Sequence, residues 1–390
     1  MKKEQRLKIL HLRSSGGFYG AEGVILGLLE ALKSKDMVNR VLCINNFKNP
    51  HVELIDRARL KGLDAVSIDC KGLFDFVAIR KIRKMLKEEC FSIIHTHDYK
   101  ASAFGLLASL GLKVNRVSTN HLWTHGNIKL RGYEFIEGIL FNFFDRIIAV
   151  SDPVADEVRP FLFNKGKLSV ISNGIDVDGF SHLGGKEEKA RSRMKFSLEQ
   201  SNIVLGIVGR LAQQKGHEYL FRAVSNILQT NKNFPLKVLV AGDGALDKDL
   251  KELVNELGIS KNIIFTGFCD DIKSVLGAID VLVMPSLSEG LPMVLLEAMS
   301  AGVLVIATPV GDIPKLIKDG FTGILVNPKD VAGLAAAIMT VIKNRNNDAE
   351  SALKMVRNAK DLVKKEYSVE SMTQKYIEIY TLIFNPRIVS

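Results

Sequence analysis

Short runs of Ile, Val and Leu recur along the 390-residue chain, each followed by a stretch with helical periodicity. The runs "KILHL" (8–12), "RVLCIN" (40–45), "AVSIDC" (65–70), "SIIHTH" (92–97), "RVSTNH" (116–121), "RIIAVS" (146–151) and "LSVISNG" (168–174) read as strands. Helices are expected between them, over 21–34, 51–61, 76–89 and 100–110. Continuously apolar strands separated by helices require a parallel sheet covered on both faces. The pattern stops at 181–202, "SHLGGKEEKARSRMKFSLEQSN", which is polar and offers no strand. It then restarts with "IVLGIVG" (203–209), "LKVLVAG" (236–242), "NIIFTG" (262–267), "VLVMPS" (281–286), "VLVIAT" (303–308) and "GILVN" (323–327). Two α/β domains, each doubly wound, follow from this double series. The predicted division is 1–180, a linker with a short helix over 181–202, a second domain over 203–367, and a final segment 368–390 built on one amphipathic helix. In such folds ligands sit beyond the carboxyl ends of the strands, so two facing domains predict an interdomain cleft.

Composition narrows the setting more than the chemistry. No apolar run is long enough to span a bilayer; the longest, "GILFNFFDRIIAV" (138–150), is interrupted by Asn142, Asp145 and Arg146. The amino terminus lacks the extended apolar region of a signal peptide. Cys43, Cys70, Cys90 and Cys269 form no paired motif, which suggests neither a disulfide framework nor a zinc site. A reducing, cytoplasmic location is expected. The net charge is +10, and residues 1–180 carry most of it, with 27 basic against 20 acidic side chains. An excess of that kind favours anionic partners without selecting among them.

Chemistry-bearing residues gather where the strands end. In "GIVGRLAQQKGHEYLFRAV" (206–224), Arg210 and Lys215 flank a turn whose Gly209 and Gly216 allow close backbone approach. Two fixed cations near a helix start suit a diphosphate; a tight turn with solvated charges is the alternative. "AGDGALDKDLKELVNELG" (241–258) repeats the strand-to-turn pattern with Gly242 and Gly244, and Asp243 is a candidate cap. "PSLSEGLPMVLLEAMSAGVLVIATPVG" (285–311) joins a loop, a helix opening at Pro292 and closing at Gly302, and a strand. The leading amides of that helix, from Met293 and Val294, form an anion pocket beside Glu289. Glu297 sits one turn further along among Leu295, Leu296, Ala298 and Met299, where a carboxylate needs hydrogen-bond donors; ribose hydroxyls would serve. A surface helix with one exposed Glu is the alternative.

In the first half, Gly16, Gly17 and Gly20 follow the first strand without the spacing of a dinucleotide fingerprint. His95 and His97 form an H-x-H, and His121 and His125 follow at a distance. With no third ligand at sensible spacing, the expectation is hydrogen-bonding histidines and no metal. Asp176 and Asp178, in "IDVDGF" (175–180), read as a turn at the end of the first domain.

These pieces together resemble the family 4 retaining glycosyltransferases of the GT-B fold. The matching stretches, in family order, are "GGFYGAE", "HTHD", "STNH", "AVSDPVADEV", "VISNGIDVDGF", "VGRLAQQKG", "AGDGALDKDL", "FTGFCDDI" and the long segment that begins "PSLSEGLPMVLLEAMSAG". The resemblance covers nearly the whole chain, and the last stretch is the most specific. It implies an acceptor-binding amino-terminal domain and a carboxyl-terminal domain that binds a nucleotide-diphosphate sugar. Arg210 and Lys215 match the pair that holds the donor diphosphate, and Glu297 matches the ribose-binding Glu. Glu289 matches the carboxylate beside the donor sugar, with the backbone of Gly290, Leu291, Met293 and Val294 around it. Gly209 and Gly242 fall in the donor-binding turns. Gly16, Gly17 and Gly20 form the loop that would oppose them. His121 matches the histidine near the reacting centre, and His97 and Asp98 fall near the acceptor. The helix at 368–384 looks like the one that crosses back to the first domain. One departure is Gly23, where a basic residue often follows "GAE".

The resemblance implies transfer of a hexosyl group with retention, independent of metal or cofactor, in assembly of cell-surface polysaccharide, lipopolysaccharide or glycolipid. The acceptor would be a glycan or a lipid-linked glycan, and nucleic acid is not expected as a partner. Fixed cations and helix amides would stabilise the departing diphosphate without reorganisation. A sugar-nucleotide epimerase on the same architecture is the competing reading. The helix "FVAIRKIRKMLKEE" (76–89) could lie on anionic lipid at the inner face of the membrane, or cover the sheet with a solvated basic face.

Overall fold

The computed structural model describes residues 7–14, 17–18, 20–35, 37–47, 50–72, 75–121, 128–183, 185–232, 234–347 and 349–384. The chain divides into two units, Met1–Gly174 with Val369–Ser390, and Ile175–Ser368.

The first unit holds a seven-stranded sheet: β1 (Lys8–Arg13), β2 (Val38–Asn46), β3 (Asp64–Cys70), β4 (Ile93–Thr96), β5 (Asn115–Asn120), β6 (Arg146–Ala149) and β7 (Leu168–Val170). All are parallel, in the order β3-β2-β1-β4-β5-β6-β7. The order reverses between β1 and β4, which defines a switch point. One face is covered by Gly20–Ser34 and Glu53–Leu60, whose Ile25, Leu29, Leu54 and Ile55 pack on Val41 and Cys43. On the other face, Phe76–Glu88 and Tyr99–Ser109 bring Ile79, Ile82, Leu86 and Phe104 onto Leu10, Leu12, Leu42 and Ile94. The carboxyl-terminal helix Val369–Phe384 belongs to this unit and packs on Gly20–Ser34.

The second unit repeats the design with six parallel strands: β8 (Ile203–Val208), β9 (Leu236–Ala241), β10 (Ile263–Gly267), β11 (Val281–Met284), β12 (Leu304–Ala307) and β13 (Ile324–Leu325). Their order is β10-β9-β8-β11-β12-β13, with the switch between β8 and β11. Every residue of β11 and β12 is buried, as continuous apolar runs demand in a sheet covered on both faces.

The boundaries differ from expectation. The first unit ends at Gly174, not 180, so Asp176 and Asp178 open the second unit. Asp176 Oδ1 accepts from Gly179 N at 3.0 Å, a turn of the expected kind. The segment 181–202 is not a linker. Its helix Lys186–Lys195 packs on Ile272–Ala278, and Arg193 is buried against Asp280 at 2.8 Å. The short helix expected in this segment is thus present, anchored by an ion pair rather than an apolar stripe. Where the chain enters and leaves the second unit, Ile175 N donates to Tyr367 O at 2.9 Å.

Candidate functional site

In the second unit the loops after β8 and β11 leave the switch point in opposite directions and enclose a crevice. Leu287 N donates to Gln214 O at 2.7 Å, tying one loop to the other. Lys215 Nζ donates to Glu289 Oε1 at 2.7 Å across the same gap, and Ser286 Oγ reaches the same oxygen at 2.8 Å. Thr308 Oγ1, at the end of β12, fixes the loop through Ser286 O. Glu289 is largely buried, and its Oε2 takes no hydrogen bond among the described residues.

The backbone at this crevice leaves no room for side chains at two glycines. A Cβ on Gly242 (φ +144°) would lie 2.0 Å from Gly209 O, and one on Gly311 (φ +57°) would lie 2.0 Å from Glu289 O. The turns after β8, β9, β11 and β12 therefore sit backbone against backbone. Asp243 does not cap the next helix. Its carbonyl accepts from Leu211 N at 2.7 Å, and the helix Asp247–Glu256 starts without a side-chain cap.

The helix Met293–Ala301 starts after Pro292 with no side-chain cap and stops at Gly302 in the left-handed region. Leu291, Met293 and Val294 pack their side chains against the core. Its first amides carry the positive end of the helix dipole. Arg210 is exposed and has no ion pair among the described residues. Glu297 is half-buried, accepts no hydrogen bond among the described residues, and is pushed up to about 7 by burial. The segments after β8 and β11 thus supply a paired cation, a cation and amides with no partner among the described residues, and a carboxylate lacking donors. His217 was not singled out from the sequence. It is buried beside Lys215 with both ring nitrogens unpartnered, and burial lowers it to about 4.

The first unit has a different crevice. His11 lies inside β1 opposite His95 of β4, with His97 and His121 just past the ends of β4 and β5. His11 Nδ1 meets His97 Nε2 at 3.2 Å, and His97 Nδ1 meets His121 Nε2 at 3.2 Å. His95 Nδ1 meets Tyr380 Oη at 2.7 Å, and its Nε2 meets Thr119 Oγ1 at 2.7 Å. Tyr376 Oη reaches the same threonine at 3.2 Å. Burial holds all four imidazoles neutral, His11 and His121 at about 3 and His95 and His97 well below the ordinary value.

His11 supplies the third histidine that the sequence spacing lacked, and His11, His95 and His97 bring their nitrogens within 4.8 Å of one another. Both nitrogens of His95 are nevertheless engaged, and the Arg13 guanidinium acts on His97 and His121 as a neighbouring positive charge. The set is a neutral hydrogen-bonded network. A histidine inside an apolar strand and tyrosines in an amphipathic helix are weak signals, which is why His11, Tyr376 and Tyr380 were not anticipated.

Asp98 has a positioning task. Its carboxylate accepts from Ser14 N at 2.6 Å, Ser14 Oγ at 2.9 Å and Ala101 N at 2.8 Å, so it caps Tyr99–Ser109 and anchors the loop after β1. Arg13 braces the same corner through Glu22 at 2.9 Å and His97 O at 2.5 Å. Gly17 (φ +138°) is buried in that loop and Gly20 opens the helix after it; Gly16 and His125 lie outside the described residues. At Gly23 a Cβ would meet nothing within 4 Å, so the fold accommodates a side chain there.

Two parallel Rossmann-like sheets, each with polar residues at its switch point, define an α/β protein of the GT-B type. The family model described as Glycosyltransferase Family 4 matches residues 18–178, and that described as Glycosyl transferases group 1 matches 188–362. The chain belongs to the family 4 glycosyltransferases. Among curated relatives, the UDP-Gal:alpha-D-GlcNAc-diphosphoundecaprenol alpha-1,3-galactosyltransferase of Escherichia coli is 26% identical over 96% of this chain and 97% of its own. Alpha-D-kanosaminyltransferase of Streptomyces kanamyceticus is 25% identical over 92% of this chain and 98% of its own. Among solved structures, Anabaena Alr3699/HepE in complex with UDP superposes with a TM-score of 0.81 at 21% identity, covering 96% of this chain and 100% of that one.

Proposed function

We propose that this glycosyltransferase moves a hexosyl group, with retention, from a nucleotide-diphosphate sugar to a hydroxyl of a glycan or lipid-linked acceptor. The pathway we infer is assembly of cell-surface polysaccharide or glycolipid, at the cytoplasmic side of the membrane. The observation that carries this reading is the unsatisfied chemistry of the second-unit crevice. Arg210 and the amides of Met293 and Val294 offer positive charge with no ion pair or side-chain cap to meet it among the described residues. A diphosphate fits that deficit. Lys215 keeps further donor capacity beyond its bond to Glu289, since an ammonium has three protons. Glu297, short of donors, suits the two ribose hydroxyls. Glu289 holds Lys215 with one oxygen and offers the other to a sugar hydroxyl.

In the proposed step the bond from the anomeric carbon to the diphosphate oxygen breaks as the acceptor oxygen bonds to the same carbon from the same face. The acceptor proton passes to the departing diphosphate. Arg210, Lys215 and the helix amides stabilise the charge that develops there. His121 of the first unit is neutral and oriented through His97. The relatives support the direction of this reading: the E. coli protein acts on a diphosphoundecaprenol-linked sugar, and the Anabaena protein has been solved with UDP-glucose.

The test is proton NMR of the product formed from a panel of sugar nucleotides in the presence of EDTA. The expected result is a new glycoside with the donor's anomeric configuration and an undiminished rate under chelation. An inverted product would overturn retention, and an epimerised sugar nucleotide without acceptor would overturn transfer.

A further inference from the structure

At the amino-terminal end of the second unit's sheet, opposite its crevice, lies a cavity of about 610 Å³. Pockets that hold small-molecule ligands run from roughly 300 to 1,000 Å³. Ile203, Val281 and Leu304 open β8, β11 and β12 and supply an apolar floor. The helices Val331–Asn347 and Ala349–Glu366 add Val341, Ile342, Leu353 and Val356. Val281, Leu304, Val341 and Ile342 are buried, whereas Leu353 is 57% exposed and marks the mouth. The donor chemistry makes no use of this place.

Charge sits at one edge. Arg193 Nη2 donates to Asp280 Oδ2 at 2.8 Å, and Lys189 Nζ donates to Asp280 Oδ1. The backbone holds this edge in place: Asp280 Oδ2 accepts from Val204 N at 2.8 Å, and Arg193 donates to Ala278 O at 3.2 Å and to Gln200 O at 2.8 Å. Among the lining residues two cations thus face one carboxylate. Glu199 is exposed, accepts from Ser201 Oγ at 3.1 Å and does not line the cavity. Lys189 is the cation that a ligand can reach, its side chain 26% exposed against 3% for Arg193. An apolar cavity with excess positive charge at one edge is complementary to an apolar body that carries one negative group.

The cavity also reaches the end of the helix Met293–Ala301. Gly302, which stops that helix (φ +74°), is a lining residue, and a Cβ there would lie 2.9 Å from Lys360 Nζ. Nine residues, about 14 Å of helix, separate this end from the amides of the proposed donor site. Ala349–Glu366 makes a second link: Leu353 and Val356 line the cavity, and Ala359 and Val363 share a core with Leu295, Ala298 and Met299 of the shorter helix. We propose that the cavity is an effector site for a small amphipathic anion, whose binding changes the affinity of the donor crevice through these two helices. The site itself is independent of the donor reading; only the coupling rests on it.

The experiment uses two fluorescent probes with the same rings, anilinonaphthalene sulfonate and the uncharged phenylnaphthylamine. The sulfonate should saturate one site on the wild-type protein and bind about tenfold more tightly than the amine, as a charge-assisted contact requires. Lys189→Gln should remove that preference and leave binding of the amine unchanged. Ala352→Phe, which adds a ring to the cavity wall, should abolish binding of both probes, with unchanged circular dichroism. The tightest-binding nucleoside diphosphate, titrated with and without the sulfonate, should change its affinity roughly fivefold or more. The sulfonate is first titrated without nucleotide, so failure of the donor reading and failure of the site give different results. No sulfonate binding by the wild type, or equal binding by the wild type and both variants, would overturn the site. So would a dimer dissolved by Ala352→Phe, which would make the cavity an interface between copies. An unaltered nucleotide affinity would overturn the coupling.

Discussion

The two crevices occupy the same place in two sheets of similar strand order, yet their chemistry is opposite. In the first unit the polar groups mostly satisfy one another: His11, His97 and His121 form a chain, and His95 is held by Tyr380 and Thr119. In the second, Arg210, Glu297 and the leading amides of Met293–Ala301 lack protein partners among the described residues. A buried network that satisfies itself fixes geometry, whereas unsatisfied charge waits for a ligand. On the proposed reading the first crevice orients and the second binds the anion.

Acid gives the largest expected difference between the units. The four buried histidines of the first unit have folded-state pKa values below the unfolded value near 6.5. The unfolded chain therefore binds more protons below that pH, and stability falls as pH drops from about 6.5 toward 3, by up to about 1.4 kcal/mol per pH unit for each histidine. Glu297 acts in the opposite sense. Its folded pKa of about 7 lies above the unfolded value, so its stabilising contribution is present at acid pH and is lost as pH rises through 7. His217 adds acid sensitivity to the second unit, but it is one histidine against four. Hydrogen exchange at descending pH should show the first unit opening before the second; simultaneous opening would break the comparison.

A smaller effect isolates the network itself. Tyr380→Phe removes the hydroxyl that meets His95 Nδ1 and leaves a buried nitrogen unpartnered. Denaturant unfolding should register a loss of about 1–3 kcal/mol, while donor binding is unchanged. Smallest is Glu297→Gln, which should weaken nucleoside diphosphate binding about tenfold, roughly one hydrogen bond to a charged group. In the wild type that affinity should rise with pH through 7 as the carboxylate ionises, and the variant should be flat. A retained slope in the variant would remove Glu297 from the ribose site.

The architecture was legible because parallel strands buried on both faces must be apolar throughout, as β11 and β12 are. The candidate site of the second unit could be proposed from the sequence because its residues lie within two short segments, 209–216 and 285–297, that end adjacent strands. The first-unit network is assembled from β1, β4, β5 and a helix more than 250 residues further along. No local spacing encodes that assembly. The segment 181–202 was read as a linker with a short helix, and its place in the second unit was missed for a related reason: Arg193 and Asp280 meet only in the folded chain.

Isothermal titration calorimetry of the wild-type protein with a panel of nucleoside diphosphates, repeated for Arg210→Ala and Lys215→Ala, tests the anion assignment most directly. Binding by the wild type, with a loss of roughly tenfold to a hundredfold in each variant as expected for removing a charge-assisted contact, is the predicted result. Undiminished affinity in both variants, or no binding of any nucleoside diphosphate to the wild type, would contradict it.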